Sequence, residues 1–207
     1  MNSPSIESLT SFFIELFKDV NDPYQIKLKK EELLTLKLGL NINKVHIKQS
    51  KIHGNGLFSS VNIKKGEIIT LYPCDVLAYY PDKDREKDHY VSYIYSEILN
   101  ENNELKTKFE QNRKYYKGYQ LSVNDEYSII GLPEYDNDPT YMGHICNDGA
   151  RGHKPEDKLI YDKISILKSN ACFRNICDCM MAVVALRDIT INEEILVTYG
   201  HGYWLTH

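Results

Sequence analysis

The spacing of apolar residues changes once along this chain, from a helical rhythm to short runs cut by turn residues. Near the amino terminus Ile6, Leu9, Phe13 and Leu16 fall on one helical face, and Ser3 followed by Pro4 reads as an N-cap with proline at the first helical position. A second short helix is predicted over 31–38, with Leu33, Leu34 and Leu38 on its buried side and Gly39 ending it. From Val45 onward the segments 45–47, 68–72, 127–130, 180–186 and 195–199 read as strands. The pattern predicts a mostly β fold with helical insertions. It divides into a helical flank at 1–41, a main domain at 42–200 and an aromatic tail at 201–207. Within the main domain, 88–117 is polar and rich in Asn, Glu, Lys and Tyr, with a weak helical signal near 90–99, and reads as a variable inserted face. The Gly-, Pro-, Asp- and Lys-containing stretch 149–158 reads as an exposed insertion.

Composition narrows this picture. A chain of 207 residues is expected to build one core, and a net charge of −4 gives no basis for tight, nonspecific nucleic-acid binding. An acidic groove attracting a basic peptide is compatible with that charge. Five cysteines, an odd number, do not form a disulfide framework, so a cytosolic or nuclear setting is the simpler expectation. No signal peptide or membrane span is expected, because no charged start precedes an apolar stretch and no run of about 20 apolar residues occurs.

Metal and thiol chemistry find little support. Cys172, Cys177 and Cys179 are near one another but lack a second half at zinc-ligand spacing, so no metal site is expected. Spacing alone does not assemble His144, His153, His201 and His207 into a site, and they read as ordinary surface or core residues. Cys146 has no ordered histidine and carboxylate partners that would make it a nucleophile, and Cys74 reads as a packing thiol.

Four segments nevertheless form an ordered set. They are 50–58 with Gly54-Asn55-Gly56, 142–150 with Asn147, 169–172 with Asn170, and 185–200 ending on Tyr199-Gly200. Together, over about 45–203, they resemble the motifs of the SET-domain protein lysine methyltransferases. The resemblance implies a β-clip-like fold with a threaded carboxyl-terminal region. It also implies transfer of methyl groups from S-adenosylmethionine to a protein lysine, with a histone tail favoured as substrate. Carried over residue by residue, it gives Gly54, Asn55, Gly56, Asn147, Asp148 and Asn170 to the methyl donor and makes Tyr199 the active-site tyrosine. Tyr203 and Trp204 would shape the substrate channel or cover the cofactor, Trp204 having no firm counterpart in the family, and Tyr72 would shape the channel entrance or serve as a core tyrosine.

The chain departs from the family pattern in three places. Asp148 stands where histidine usually follows the asparagine, Gly149 and Ala150 replace a small polar residue and a cysteine, and Asn192 stands where glycine is common. The first departure and the expanded interval after it support an alternative, a catalytically weak SET-like peptide-binding or scaffold protein. The resemblance implies a nuclear location, in the cell or in a host, if histones are the substrates, and a cytoplasmic one otherwise. It implies no sequence-specific nucleic-acid or membrane partner, and it leaves the oligomeric state open.

Overall fold

A computed structural model describes residues 4–81, 91–135 and 137–206. In chain order the elements are α1 (Ile6–Phe17), α2 (Pro23–Thr35), β1 (Val45–Gln49), β2 (Asn55–Ser59), β3 (Ile68–Leu71), β4 (Val76–Tyr79), β5 (Ser92–Tyr95), α3 (Glu97–Glu101), α4 (Asn103–Gln111) and α5 (Arg113–Tyr116). They continue with β6 (Gln120–Ser122), β7 (Tyr127–Ile130), β8 (Asn147–Asp148), α6 (Lys158–Lys168), β9 (Ala171–Ile176), β10 (Met180–Ala185), β11 (Leu196–Val197) and α7 (His201–Thr206). The expectation of a mostly β fold with helical insertions holds.

Local signals explain the two amino-terminal helices, with two corrections. The N-cap of α1 is Ser5, whose hydroxyl accepts the Ser8 N–H at 3.1 Å; Pro4 precedes the helix, and Ser3 lies outside the described residues. The second helix begins much earlier than 31, because Asp22 caps it by accepting the Tyr24 N–H at 3.1 Å and Pro23 occupies its first position. It stops at Leu36, whose backbone is extended, before Gly39 is reached. Leu9 and Phe13 of α1 and Leu33 of α2 join Ile42, Ile68, Leu71 and Ala182 in one buried cluster. Burying such side chains contributes roughly 1.5–3 kcal/mol each, which docks both helices on the sheet that contains β3 and β10.

The strands form four small sheets. β1 and β2 make an antiparallel hairpin; β3, β10 and β9 pair antiparallel in that order; and β5, β4, β7 and β6 form a four-stranded antiparallel sheet. The fourth sheet is a short parallel pair, in which Leu196 lies opposite Asn147 and Val197 opposite Asp148. The expected strand 195–199 thus keeps only its middle, and that middle runs beside a segment about fifty residues earlier. Asn170 holds the same run from another side, accepting the Leu196 N–H at 2.8 Å and donating to the Glu194 carbonyl at 2.7 Å. Asn192, where a glycine was expected, has φ +65°, and asparagine is among the few side chains that tolerate this conformation.

Two readings of the insertions need correction. The segment near 90–99 is not helical throughout: its Ser-Tyr-Ile-Tyr portion is β5, paired with β4, and helix begins only at Glu97, while residues 88–90 lie outside the described residues. Nor is the region a mere surface face, since Leu99, Leu105, Phe109 and Tyr116 are buried against Val76, Ala78 and Ile130. In the second insertion, Gly149 and Ala150 are buried and exposure starts at Arg151. The remainder of that expanded interval folds into α6.

Candidate functional site

The site begins with the turn between β1 and β2. Gly54 has φ +47°, a conformation open to glycine at little cost, and its carbonyl accepts the Ser50 N–H at 2.8 Å to close the loop. Gly56 answers a different need. A Cβ there would lie 2.3 Å from Glu194 Oε1 and 3.1 Å from Asn147 Nδ2, so only a bare backbone lets the hairpin approach these side chains. Asn147 fastens the turn by donating from Nδ2 to the carbonyls of His53 (3.1 Å) and Asn55 (3.0 Å) and to Glu194 Oε1 (3.1 Å).

Its neighbour Asp148 is buried, and its carboxylate collects hydrogen bonds from five donors. Oδ1 accepts the Ala150 N–H at 2.9 Å and the Ser165 hydroxyl at 2.8 Å. Oδ2 accepts the Tyr199 N–H at 3.0 Å, the Trp204 indole N–H at 3.3 Å and the Tyr161 hydroxyl. Tyr161 also accepts the Gly200 N–H at 3.0 Å. Burial, followed by its bond to Asp148, pushes the Tyr161 phenol up to about 12. Two residues of α6 and one aspartate therefore hold the backbone of Tyr199 and Gly200.

Tyr199 is thereby aimed across the interior, where its hydroxyl donates to the Cys146 carbonyl at 2.6 Å. Burial, reinforced by neighbouring groups including Cys146 and Tyr203, raises the Tyr199 phenol well above its usual range and keeps it neutral at physiological pH. Its ring stands edge-on to Tyr203 at 4.7 Å between centroids and stacks on Trp204 at 5.9 Å and 23°. The Arg151 guanidinium lies over the Trp204 ring, 5.5 Å from its centroid.

Two cavities meet at this tyrosine. The larger, of about 540 Å³, runs from the glycine turn, past Asn147 and Asp148, to Trp204 and Tyr199. The smaller, of about 60 Å³, is bounded by Tyr72, Phe173, Cys146 and Leu121. Tyr199, Tyr203, His144 and Gly118 line both. Tyr72 donates its hydroxyl to the Tyr119 carbonyl at 2.7 Å, and burial raises its phenol well above the usual range.

The structure therefore brings most of the sequence-selected residues together and leaves two of them, Gly56 and Asn170, outside both cavities. Gly54, Asn55, Asn147, Asp148 and Tyr199 border the larger cavity, and Tyr72 the smaller. Trp204, expected in the substrate channel or over the cofactor, lines only the larger cavity, where its indole is tied to Asp148. Gly56 and Asn170, expected to touch a cofactor, line neither. Gly56 packs against Asn147 and Glu194, and the Asn170 amide is used by Glu193, Glu194 and Leu196.

Sequence reasoning passed over His144, His153, Arg151 and Tyr119, all of which line the larger cavity, and Tyr161 behind it. The only signal for His144 was its place within the Asn147 segment. Among the described residues no group of three or more His, Cys, Asp or Glu is placed to hold a metal ion, and no helix is long and apolar enough to cross a membrane. All five cysteines are free, with Cys177 in the β9–β10 turn.

A model of the SET domain matches residues 54–200, which span the glycine turn, the Asn147 segment and Tyr199. No curated protein matches the chain. Among solved structures, the crystal structure of a candidate histone methyltransferase from Plasmodium falciparum is 18% identical, with a TM-score of 0.39 and 78% of this chain and 97% of that one covered. That likeness is too distant to bear on the site.

Proposed function

This chain belongs to the SET-domain family, and on that premise we propose that it transfers the methyl group of S-adenosylmethionine to the ε-amine of a protein lysine. The observation that carries this reading is the meeting of a large cavity and a narrow one at the Tyr199 ring. When bound, the methyl donor supplies an electrophilic methyl on a sulfonium, so no covalent enzyme nucleophile is required. The larger cavity suits such a group, with close backbone approach at Gly54, polar groups at Asn147, and the Trp204 face and Arg151 at its rim. In this reading a lysine stem enters the smaller cavity and lies along the wall that Tyr72 and Phe173 form together.

The chain's own contribution is orientation and exclusion of water. A lysine entering this aromatic passage loses hydration, which favours its neutral, nucleophilic form. The Tyr199 hydroxyl donates its hydrogen bond to the Cys146 carbonyl, leaving oxygen lone pairs to accept an amine N–H. A raised phenol pKa fits this role and not that of a tyrosinate base. Asp148 motivated the weakly catalytic alternative. Its carboxylate holds the Tyr199 backbone, and this favours retained function over a vacated site.

A histone tail is the first substrate to test, on family association alone. Radiolabelled methyl donor incubated with intact histones and a broad protein lysate, followed by peptide mapping, should reveal label on lysine ε-amines. Tyr199→Phe is expected to lower turnover about a hundredfold while costing about 1 kcal/mol of stability in urea denaturation. Folded wild type that binds the donor and labels no lysine would overturn the proposal. Peptide binding without donor binding would instead support the scaffold alternative.

A further inference from the structure

His144 is 6% exposed, and its ring nitrogens make no close hydrogen bond, the Leu132 backbone offering only a loose one. A buried polar group without a close partner destabilises a fold, so its persistence requires a reason. The imidazole lies between Tyr72 and Tyr119, edge-on to both at 6.2 and 6.3 Å, and borders the large and the small cavity together. The other polar side chains at this junction are committed: Tyr72 donates to Tyr119 and Tyr199 donates to Cys146. Beside the lone pairs left on the Tyr199 oxygen, the His144 ring is a second buried acceptor at the junction.

We infer that His144 is a substrate-positioning residue, accepting a hydrogen bond from the lysine ε-amine held beside Tyr199, and that this bond biases the enzyme toward less methylated lysines. The inference rests on the proposed lysine methyl transfer. Burial first, and then the positive charge of Lys37, hold the imidazole at about 3, with the Leu132 backbone and Glu134 opposing only in part. At neutral pH the ring is therefore uncharged and offers one nitrogen lone pair.

A neutral lysine amine with its own lone pair directed at the donor methyl has two N–H groups left. The Tyr199 oxygen and the His144 nitrogen provide two acceptors. Monomethyl-lysine has one N–H and dimethyl-lysine none, so each added methyl leaves one more acceptor unpaired. The bond is made by the substrate and requires no net transfer of a proton to His144.

The test compares wild type, His144→Leu and His144→Gln on peptides carrying unmethylated, monomethylated or dimethylated lysine. His144→Leu removes the acceptor at similar volume and removes an unpaired buried group, so the protein is expected to fold. For His144→Leu, kcat/KM on unmethylated lysine should fall about tenfold, mainly through peptide KM, while kcat/KM on dimethyl-lysine stays level or rises and donor affinity stays within twofold. His144→Gln, which keeps an acceptor, should recover most of the preference. Parallel loss on all three peptides, or no change on any, would overturn the inference.

A second readout separates this failure from that of the underlying reaction. The ¹⁵N resonances of the His144 ring should shift on adding a lysine peptide and should not shift with a norleucine peptide. A lysine-specific shift in a protein that transfers no methyl would retain the contact and reject the methyl transfer. Equal or absent shifts would reject the contact even where methyl transfer is observed.

Discussion

Asp148 and His144 lie four residues apart in one run, 141–150, that is buried throughout, yet their polar atoms have opposite fates. Asp148 accepts from five donors drawn from its own loop, α6 and the carboxyl-terminal segment. The ring nitrogens of His144 make no close hydrogen bond. A saturated buried group fixes the chain around it, whereas an unsaturated one leaves free energy to be recovered by whatever enters. The first region holds Tyr199 in place, and the second faces the space where Tyr199 acts.

The largest effect should come from removing the saturated group. Asp148→Ala strands the Ala150 and Tyr199 N–H groups, the Trp204 indole and the Tyr161 hydroxyl, and is expected to lower stability by about 4 kcal/mol, measured as a change in urea midpoint. A change below about 1 kcal/mol would mean that the donors find water instead and that the contrast with His144 is false. Tyr161→Phe removes the link between Asp148 and the Gly200 N–H and should cost about 1–2 kcal/mol. Amide exchange at Gly200 should accelerate selectively, and unchanged protection there would detach α6 from the active-site tyrosine.

The smallest expected effect is at neutral pH, where His144→Leu should be close to neutral or slightly stabilising because it removes an unpaired polar group. Acid distinguishes the two proteins. The unfolded imidazole titrates near 6.5 and the folded one at about 3, so the unfolded chain binds a proton that the folded chain declines. The His144 contribution is therefore fully present above about 6.5 and is lost as pH falls toward 3. The groups bearing on the ring are Lys37, Glu134, Tyr72 and Tyr119. Subtracting the stability–pH curve of His144→Leu from that of wild type isolates this slope, and a flat difference between pH 6.5 and 3 would show that the ring protonates freely in the fold.

The inserted helix α6 shows where local rules stop. It lies where no helix or strand is read from the sequence, and it carries Leu159, Ile160 and Leu167 on one side. In the structure these three residues are exposed by 82%, 65% and 82%, while Tyr161 and Ser165 are buried. The helix is oriented by its hydrogen bonds to Asp148, which no window of eleven residues contains. Asn170 gives the same lesson: the residue stands out in the sequence, but its amide serves the backbone of 194–196 and no cavity.

By itself the sequence determined the features that depend on neighbours a few positions away. It set the glycine turn at Gly54, the strands at Val45, Ile68, Tyr127 and Met180, and the ordered motifs that single out Asn147 and Tyr199. Tertiary structure decided the rest. Pairing Leu196 with Asn147 across the chain set Asp148 beneath Tyr199, and the packing of Tyr72 and Tyr119 around His144 made an ordinary histidine an unpaired group at the junction of two cavities. Hydrogen-bond saturation and burial are sums over elements remote in sequence, so they acquire a value only once those elements have met.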